Sequence, residues 1–549
     1  MGKQYSIGLD FGTLSARAII ADTENGTPLP HESIFTYPHA ILSEIGGKKI
    51  PQNYALQHPQ DYIDALVFLL TDVLSKNGID KKSVIGIGID FTDCTVLPIN
   101  ESFVPLCLLD EYKNEPHAYA KIWKHHTNEK YARQIEAAAL SYDSSILSVT
   151  GKRMTSEFLI PKLYETFCEA PQVYNNTYKF ILAGDFVASL LIGKKEIHSK
   201  AYTGKQHYNG TKFPSKDFFA SIHPDFSGAY EEKTVTTLSS VECSVGNLCD
   251  EWVKITGLPN SVAISAPILD AHSAISAAGI KHGKIVLTLG TSAVLETLTD
   301  KSTSINGVLA TSFESVASGY TTIEAGLAAM GDLFDWFIKN CVPESYAESA
   351  KATGLGIHQY LRSLAEKQEV GAHGLLILDW FNGSRSIVLE NDLSGLIVGL
   401  RLSTKPEDIY RALIESTAFG IRRIIDCFRM QDIKINGISA TGGIALKDPL
   451  LMQIYASVLN MPIECLASTQ ATALGSAIYG AVAGGAYLSV AEASQAMQSP
   501  IAITYYPIEE DSKKYNEIYS HYIELCDYFQ QENPLMKILS SNTGAFLCK

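Results

Sequence analysis

A chain of 549 residues that is 46% hydrophobic exceeds what one core supports, so two large domains are expected. Its 44 Lys and Arg against 59 Asp and Glu leave a net charge of −15, which argues against nucleic acid or an anionic membrane as the main partner. Ten cysteines without a CxxC pair fit reduced, packing thiols in a cytosol better than a disulfide framework or a zinc site.

The chain enters a strand within a few residues of Met1, without the charged lead and apolar core of a signal segment. Short apolar runs bounded by Gly or Asp predict buried strands at 5–9, 16–21 and 84–89. The first two flank Asp10-Phe11-Gly12-Thr13-Leu14-Ser15-Ala16, a tight turn rich in hydroxyls. Between residues 61 and 76 the apolar residues Tyr62, Ala65, Leu66, Leu69, Leu70, Val73 and Leu74 recur at three- and four-residue steps. Gly78 follows as a stop, so this is an amphipathic helix.

The second half repeats the style. A strand at 285–289 leads into Gly290-Thr291-Ser292-Ala293, the same strand, glycine turn and strand as near residue 12. Thr404-Lys405-Pro406-Glu407 has capping-box spacing ahead of a helix over 408–429, and Asp448-Pro449 opens another that runs through Tyr455. No apolar run reaches membrane-span length; the nearest, 471–485, is rich in Gly and Ala and reads as a closely packed helix. Strand and helix alternate in both halves, which predicts two α/β domains with a boundary near 270–284 and a hinge there. Beyond about residue 511 the pattern is helical and then frayed, and carries no functional reading.

Glycine lets backbone approach a ligand closely, and exposed turn amides and hydroxyls bind phosphate oxygens, so the duplicated turn outlines a repeated phosphate grip. No Gly-Lys pair sits in a GxxxxGK[ST] context, which excludes the commonest phosphate cradle. Asp10, Asp90 and Asp270 stand at strand ends near these turns, where a carboxylate can cap a turn, orient a hydroxyl or hold hydrated magnesium.

Several blocks resemble the FGGY carbohydrate kinases, and within them the kinases of ribulose: LDFGTLSAR from Leu9, GIDFTDCTVLP from Gly88, WKHH from Trp123, LDAHSAISAAGI from Leu269, LGTSAVLETL from Leu289, EAGLAAMGDLFDWF from Glu324 and LDWFNGSRS from Leu378. The match runs from the first strand to about residue 485. The resemblance implies two actin/hexokinase-like (ribonuclease H-like) α/β domains, 1–280 binding sugar and 281–549 binding nucleotide, with the active site in the cleft between them. It implies transfer of the ATP γ-phosphate to the terminal hydroxyl of a ketopentose, L-ribulose first, with D-ribulose, xylulose or glycerol as alternatives. A non-catalytic ATP-binding regulator or actin-like structural protein is the rival of another class.

By the same resemblance Asp270 is the catalytic base and Asp10 the magnesium ligand, acting through water. Gly12, Thr13, Gly290 and Thr291 line the phosphates, and Gly442 and Gly443 border the adenosine. The sugar falls to Trp123, Lys205, Asp270 and Glu324, with Asp93 also facing it. A homodimer is a possible assembly. Two departures fall near the sugar. The family usually has Gly, an aromatic or His, then Lys, with Trp three residues later, whereas this chain reads Thr203-Gly204-Lys205-Gln206-His207-Tyr208. Asp93 stands where a small residue is usual. His125-His126 is read as adjacent helical residues pointing apart, a poor metal site, and 382–385 as a structural turn.

Overall fold

The computed structural model describes residues 2–51, 53–301, 305–390 and 392–542. The first apolar run forms β1 (Tyr5–Phe11), which pairs antiparallel with β2 (Ser15–Asp22), and β2 in turn with β3 (Ser33–Thr36). The helix predicted over 61–76 is α1 (Pro59–Asn77). It starts two residues earlier because the His58 ring accepts the Gln60 N–H and Pro59 needs no partner at the first turn. Gly78 ends it in the left-handed conformation, at φ 61°. β4 (Val84–Phe91) lies parallel to β1 in register, with Asp10 opposite Asp90. The sheet is completed by β5 (Ser244–Asn247), β6 (Ala263–Ser265) and the short β7 (Ile268–Leu269), giving the order β5-β6-β4-β1-β2-β3 with β7 beside β4. β1 and β4 are buried along almost their whole length, as the unbroken apolar runs require of central strands covered on both faces. The chain leaves β7 directly into α2 (Asp270–Ala277).

The second sheet repeats the plan. β8 (Lys284–Leu289) turns back antiparallel into β9 (Ala293–Thr299). β10 (Ala310–Phe313) and β11 (Thr321–Leu327) extend that side, and α3 (Gly331–Cys341) follows. After α4 (Pro406–Met430), strand β12 (Gly437–Thr441) runs parallel to β8. The turn of α5 (Gly443–Lys447), then α6 (Pro449–Leu459), lead to β13 (Ile463–Leu466), α7 (Ala471–Ala483), the edge strand β14 (Ile501–Tyr505) and α8 (Glu509–Asp527). The order is β10-β11-β9-β8-β12-β13-β14. Each sheet therefore carries a hairpin whose first strand is parallel to the next strand inward.

One large core cluster draws only on residues from Ile285 onward and another only on residues up to Ile264, while a third mixes both halves. The mixing element is α7. It packs on β1, β4 and α2, and it comes so close that a Cβ at Gly8 would lie 1.8 Å from the Ala473 carbonyl oxygen, and one at Gly88 1.7 Å from that of Ser476. The small residues read in this segment are thus needed on both sides of the contact.

Two local readings need correction. Lys405, not Thr404, caps α4: its N–H donates to Asp408 Oδ2 at 2.8 Å, while the Thr404 hydroxyl accepts from Arg401 N–H. A lysine ammonium has no lone pair, so the reciprocal bond of a capping box is missing. His125 and His126 lie in irregular chain between two turns rather than on a helix. His125 contacts buried Glu165 at 2.9 Å and His126 contacts Ser156 at 2.8 Å, in separate surroundings.

The segment past residue 511 begins inside α8. Its tyrosines are anchored to the second core: Tyr515 donates to Glu415, Tyr519 to Asp426 and Tyr522 to the buried Asp379. The frayed end, 543–549, lies outside the described residues. The nine described cysteines are all free, and no described helix is long and apolar enough to cross a membrane.

Candidate active site

Three parallel neighbours, β1, β4 and β7, bring Asp10, Asp90 and Asp270 to their carboxyl ends, the side of an open α/β sheet where ligands gather. Asp10 Oδ2 accepts from Thr472 Oγ1 of α7 at 2.7 Å and from Arg17 at 3.3 Å. Asp90 is fully buried. Burial first, then repulsion from Asp10, pushes its carboxyl well above the ordinary range, and Ser476 Oγ donates to it at 2.6 Å. Asp270 begins α2 and accepts its neighbour Ala271 N–H at 2.8 Å. Burial, and then Asp10, pushes its pKa up to about 7 against that hydrogen bond.

The hairpin turns take a defined shape. Gly12 N–H donates to Ser15 O and Gly290 N–H to Ser292 O, each at 3.0 Å. Both glycine amides are therefore used to close their turns, and their part is conformational. Thr13 and Thr291 stand at the tips, and among the described residues their N–H groups have no intramolecular acceptor. Gly442 follows β12 and precedes α5, at φ 96°; a Cβ there would meet the Leu289 carbonyl oxygen at 2.4 Å. Gly443 starts α5 with open space where a side chain would be.

A cavity of about 240 Å³ joins these turns to a cluster of charged side chains. It is bounded by Thr13, Gly290 and Thr291 at one part, by Asp270, and by Trp123, Asp93, Lys205 and Glu324. Asp10, Gly12, Gly442 and Gly443 do not line it. Lys205 Nζ lies 2.7 Å from Asp93 Oδ2 and 2.8 Å from Glu324 Oε1. Burial works against the ammonium, but the two carboxylates outweigh it and hold Lys205 well above its ordinary range. Burial likewise opposes the Asp93 carboxylate, and Lys205 brings it below the usual value. Trp123 Nε1 donates to Thr13 Oγ1 at 3.3 Å, tying the aromatic wall to the first turn.

The altered setting of Lys205 has a packing explanation. Gly204 is so crowded that a Cβ would lie 1.9 Å from Ser312 Oγ. Gln206 meets the His198 ring at 3.0 Å, and the buried His207, at φ 62°, faces Thr150. The flanking residues are thus held in the interior while Lys205 alone turns to the cavity.

Sequence reasoning missed several neighbours. Thr472 and Ser476 reach across from α7, and no local pattern announces a residue so distant in the chain. Glu157 and Arg385 line the same cavity, their side chains 3.4 Å apart, and Arg385 lies over the Trp123 ring at 5.9 Å. Arg385 belongs to the turn read as structural, so the signal was present and was set aside. Glu296, across from Glu324 on β9, is buried; burial, then Glu324, pushes it well up. Its neighbour His272, 3.5 Å away, is driven by burial down to about 3.

Residues 285–484 match the model of the FGGY family of carbohydrate kinases, C-terminal domain. A ribulokinase of Bacillus licheniformis is 38% identical, with 97% of this chain and 99% of that one covered. Among solved structures, a gluconate kinase from Lactobacillus acidophilus superposes with a TM-score of 0.80 at 18% identity, covering 97% and 99% of the two chains. A ligand-bound xylulose kinase from the same organism gives 0.80 at 18%, covering 96% and 99%. These likenesses establish the two-domain α/β fold of the sugar kinases, the actin/hexokinase-like plan expected from the sequence. Likeness of this extent to the ribulokinase makes the chain a member of the FGGY family of carbohydrate kinases, a phosphotransferase.

Proposed function

We propose that this enzyme transfers the γ-phosphate of ATP to the terminal hydroxyl of L-ribulose, giving L-ribulose 5-phosphate and ADP. The observation that carries the reading is the cavity itself, in which Asp270 stands between the two hairpin turns and the Asp93, Lys205 and Glu324 cluster. The 38% identity to a ribulokinase supports the choice of ketopentose. We assign 1–280 to the sugar and 281–549 to the nucleotide, with α2 and α7 as the packed junction.

Asp270, titrating near 7, is poised to accept the proton of the attacking hydroxyl. Because phosphoryl transfer passes through a loose transition state, orienting that hydroxyl counts for as much as deprotonating it. The free amides of Thr13 and Thr291 and their hydroxyls face the phosphates, and Gly443 leaves open space for the nucleoside while Gly442 lets the chain turn tightly against Leu289. Lys205, Asp93 and Glu324 offer one donor group and two acceptors to polyol hydroxyls, which lose several water contacts on binding. Asp10 fits a magnesium ligand: its carboxylate stands near those of Asp90 and Asp270, which burial first and then Asp10 push up. Bound there, magnesium would offset phosphate charge. Closure of the cleft would exclude water, the competing acceptor.

A panel of L-ribulose, D-ribulose, xylulose and glycerol in a coupled ADP-release assay tests the reading. L-ribulose should give the highest kcat/KM; a higher value for another sugar removes the substrate assignment, and no response to any sugar removes the kinase reading.

A further inference from the structure

A second cavity, of about 350 Å³, adjoins the first and shares with it only Trp123, Glu157 and Arg385. Asp270, Gly290 and Thr291 border the first cavity alone. Of the shared residues, Trp123 reaches the first turn through Thr13, whereas Glu157 and Arg385 feel the charges of Lys205 and Glu324 and so sit on the side of that cluster. The Arg385 side chain is 14% exposed, and its hydrogen bonding is incomplete: a single N–H reaches Glu157, at a long 3.4 Å, and its buried Nε has no partner. Burying a guanidinium with unused donors is costly unless something else accepts from them. Glu157, equally buried, is kept ionised against its burial mainly by Arg385 and Lys205. The pair thus places fixed donors beside a fixed acceptor, stacked against an indole, in a wall of the pocket.

We propose that Arg385 and Glu157 bind the non-reacting end of the sugar, Arg385 donating to the C2 carbonyl and Glu157 accepting from the C1 hydroxyl. This rests on the ketose kinase reading above. With the C5 hydroxyl at Asp270, a five-carbon chain directed toward the second cavity brings its carbonyl end to this pair. Arg385 then distinguishes a ketose from the corresponding pentitol, whose C2 hydroxyl needs a donor and acceptor geometry of its own. The guanidinium takes no part in the transfer, so its removal acts on affinity.

The test compares Arg385→Ala, Arg385→Lys and Glu157→Gln with the unaltered enzyme, using L-ribulose and ribitol as acceptors and thermal unfolding as a check on folding. Arg385→Ala should raise KM for L-ribulose at least tenfold with kcat within about threefold, while KM for ribitol changes by less than threefold. Arg385→Lys, which keeps the charge and loses the fork, should fall between, and Glu157→Gln should raise KM for L-ribulose about threefold or more. A folded Arg385→Ala or Arg385→Lys enzyme with unchanged KM for L-ribulose would overturn the assignment while leaving the kinase reading intact. So would equal losses for ketose and pentitol. If the unaltered enzyme phosphorylates no ketopentose, it is the underlying reading that fails.

Discussion

At the end of the cavity proposed above for phosphate, Thr13 and Thr291 stand in two hairpins built from consecutive residues, each closed by a glycine amide at 3.0 Å, to Ser15 in the first and Ser292 in the shorter second. At the end proposed for the sugar, Asp93, Lys205 and Glu324 come from three distant segments, and both carboxylates meet the Lys205 ammonium within 2.8 Å. The first end offers backbone geometry that suits any nucleotide phosphate; the second offers a particular arrangement of charges that suits few sugars. Conformation should therefore govern the response to ATP, and charge the response to the acceptor.

The sharpest way to break this comparison is at Asp270, which touches both ends. Asp270→Asn should lower kcat about 10³-fold, within the range for a lost general base, with sugar KM nearly unchanged. Stability should move the other way. The folded pKa, near 7, lies above the unfolded value, so ionising Asp270 opposes folding as pH rises through 7. At pH 8 Asp270→Asn should therefore melt above the unaltered protein, and at pH 5 the difference should shrink, as read by thermal unfolding. A variant that melts lower at pH 8 would contradict the burial argument.

Next in size is Lys205→Met, which leaves Asp93 and Glu324 facing each other without their shared cation. A loss of about 10²-fold in kcat/KM for the sugar is expected, with ATP KM nearly constant, from initial rates. Gly442→Ala should do the opposite, because φ 96° and a 2.4 Å approach to Leu289 force the second turn to shift. ATP KM should rise about tenfold and sugar KM little. The smallest effect on activity, but a clear one on unfolding, is Gly88→Ala. Its Cβ meets the Ser476 carbonyl at 1.7 Å, and about 1–3 kcal/mol of stability should be lost by denaturant titration.

The same contrast explains what could be read without coordinates. The hairpins at Gly12 and Gly290, the stripe of α1 and the packed helix at α7 are local patterns, and each appeared within a residue or two of its predicted place. Lys205, Glu324 and Trp123 carry no local signal and entered through resemblance alone. Thr472 was overlooked because a side chain that reaches a site from a distant helix leaves no periodicity to detect, whereas Arg385 stood in a resembling block whose turn reads as structural. The cap of α4 was misplaced by one residue because spacing cannot tell which neighbour bends into the extended conformation.

The most direct test is a crystal structure of the protein with L-ribulose and a non-hydrolysable ATP analogue. The account predicts the sugar's C5 oxygen within about 2.6–3.2 Å of an Asp270 carboxylate oxygen, with the γ-phosphate group between Thr13 and Thr291. A C5 hydroxyl turned away from Asp270, or a triphosphate held clear of both hairpins, would contradict it.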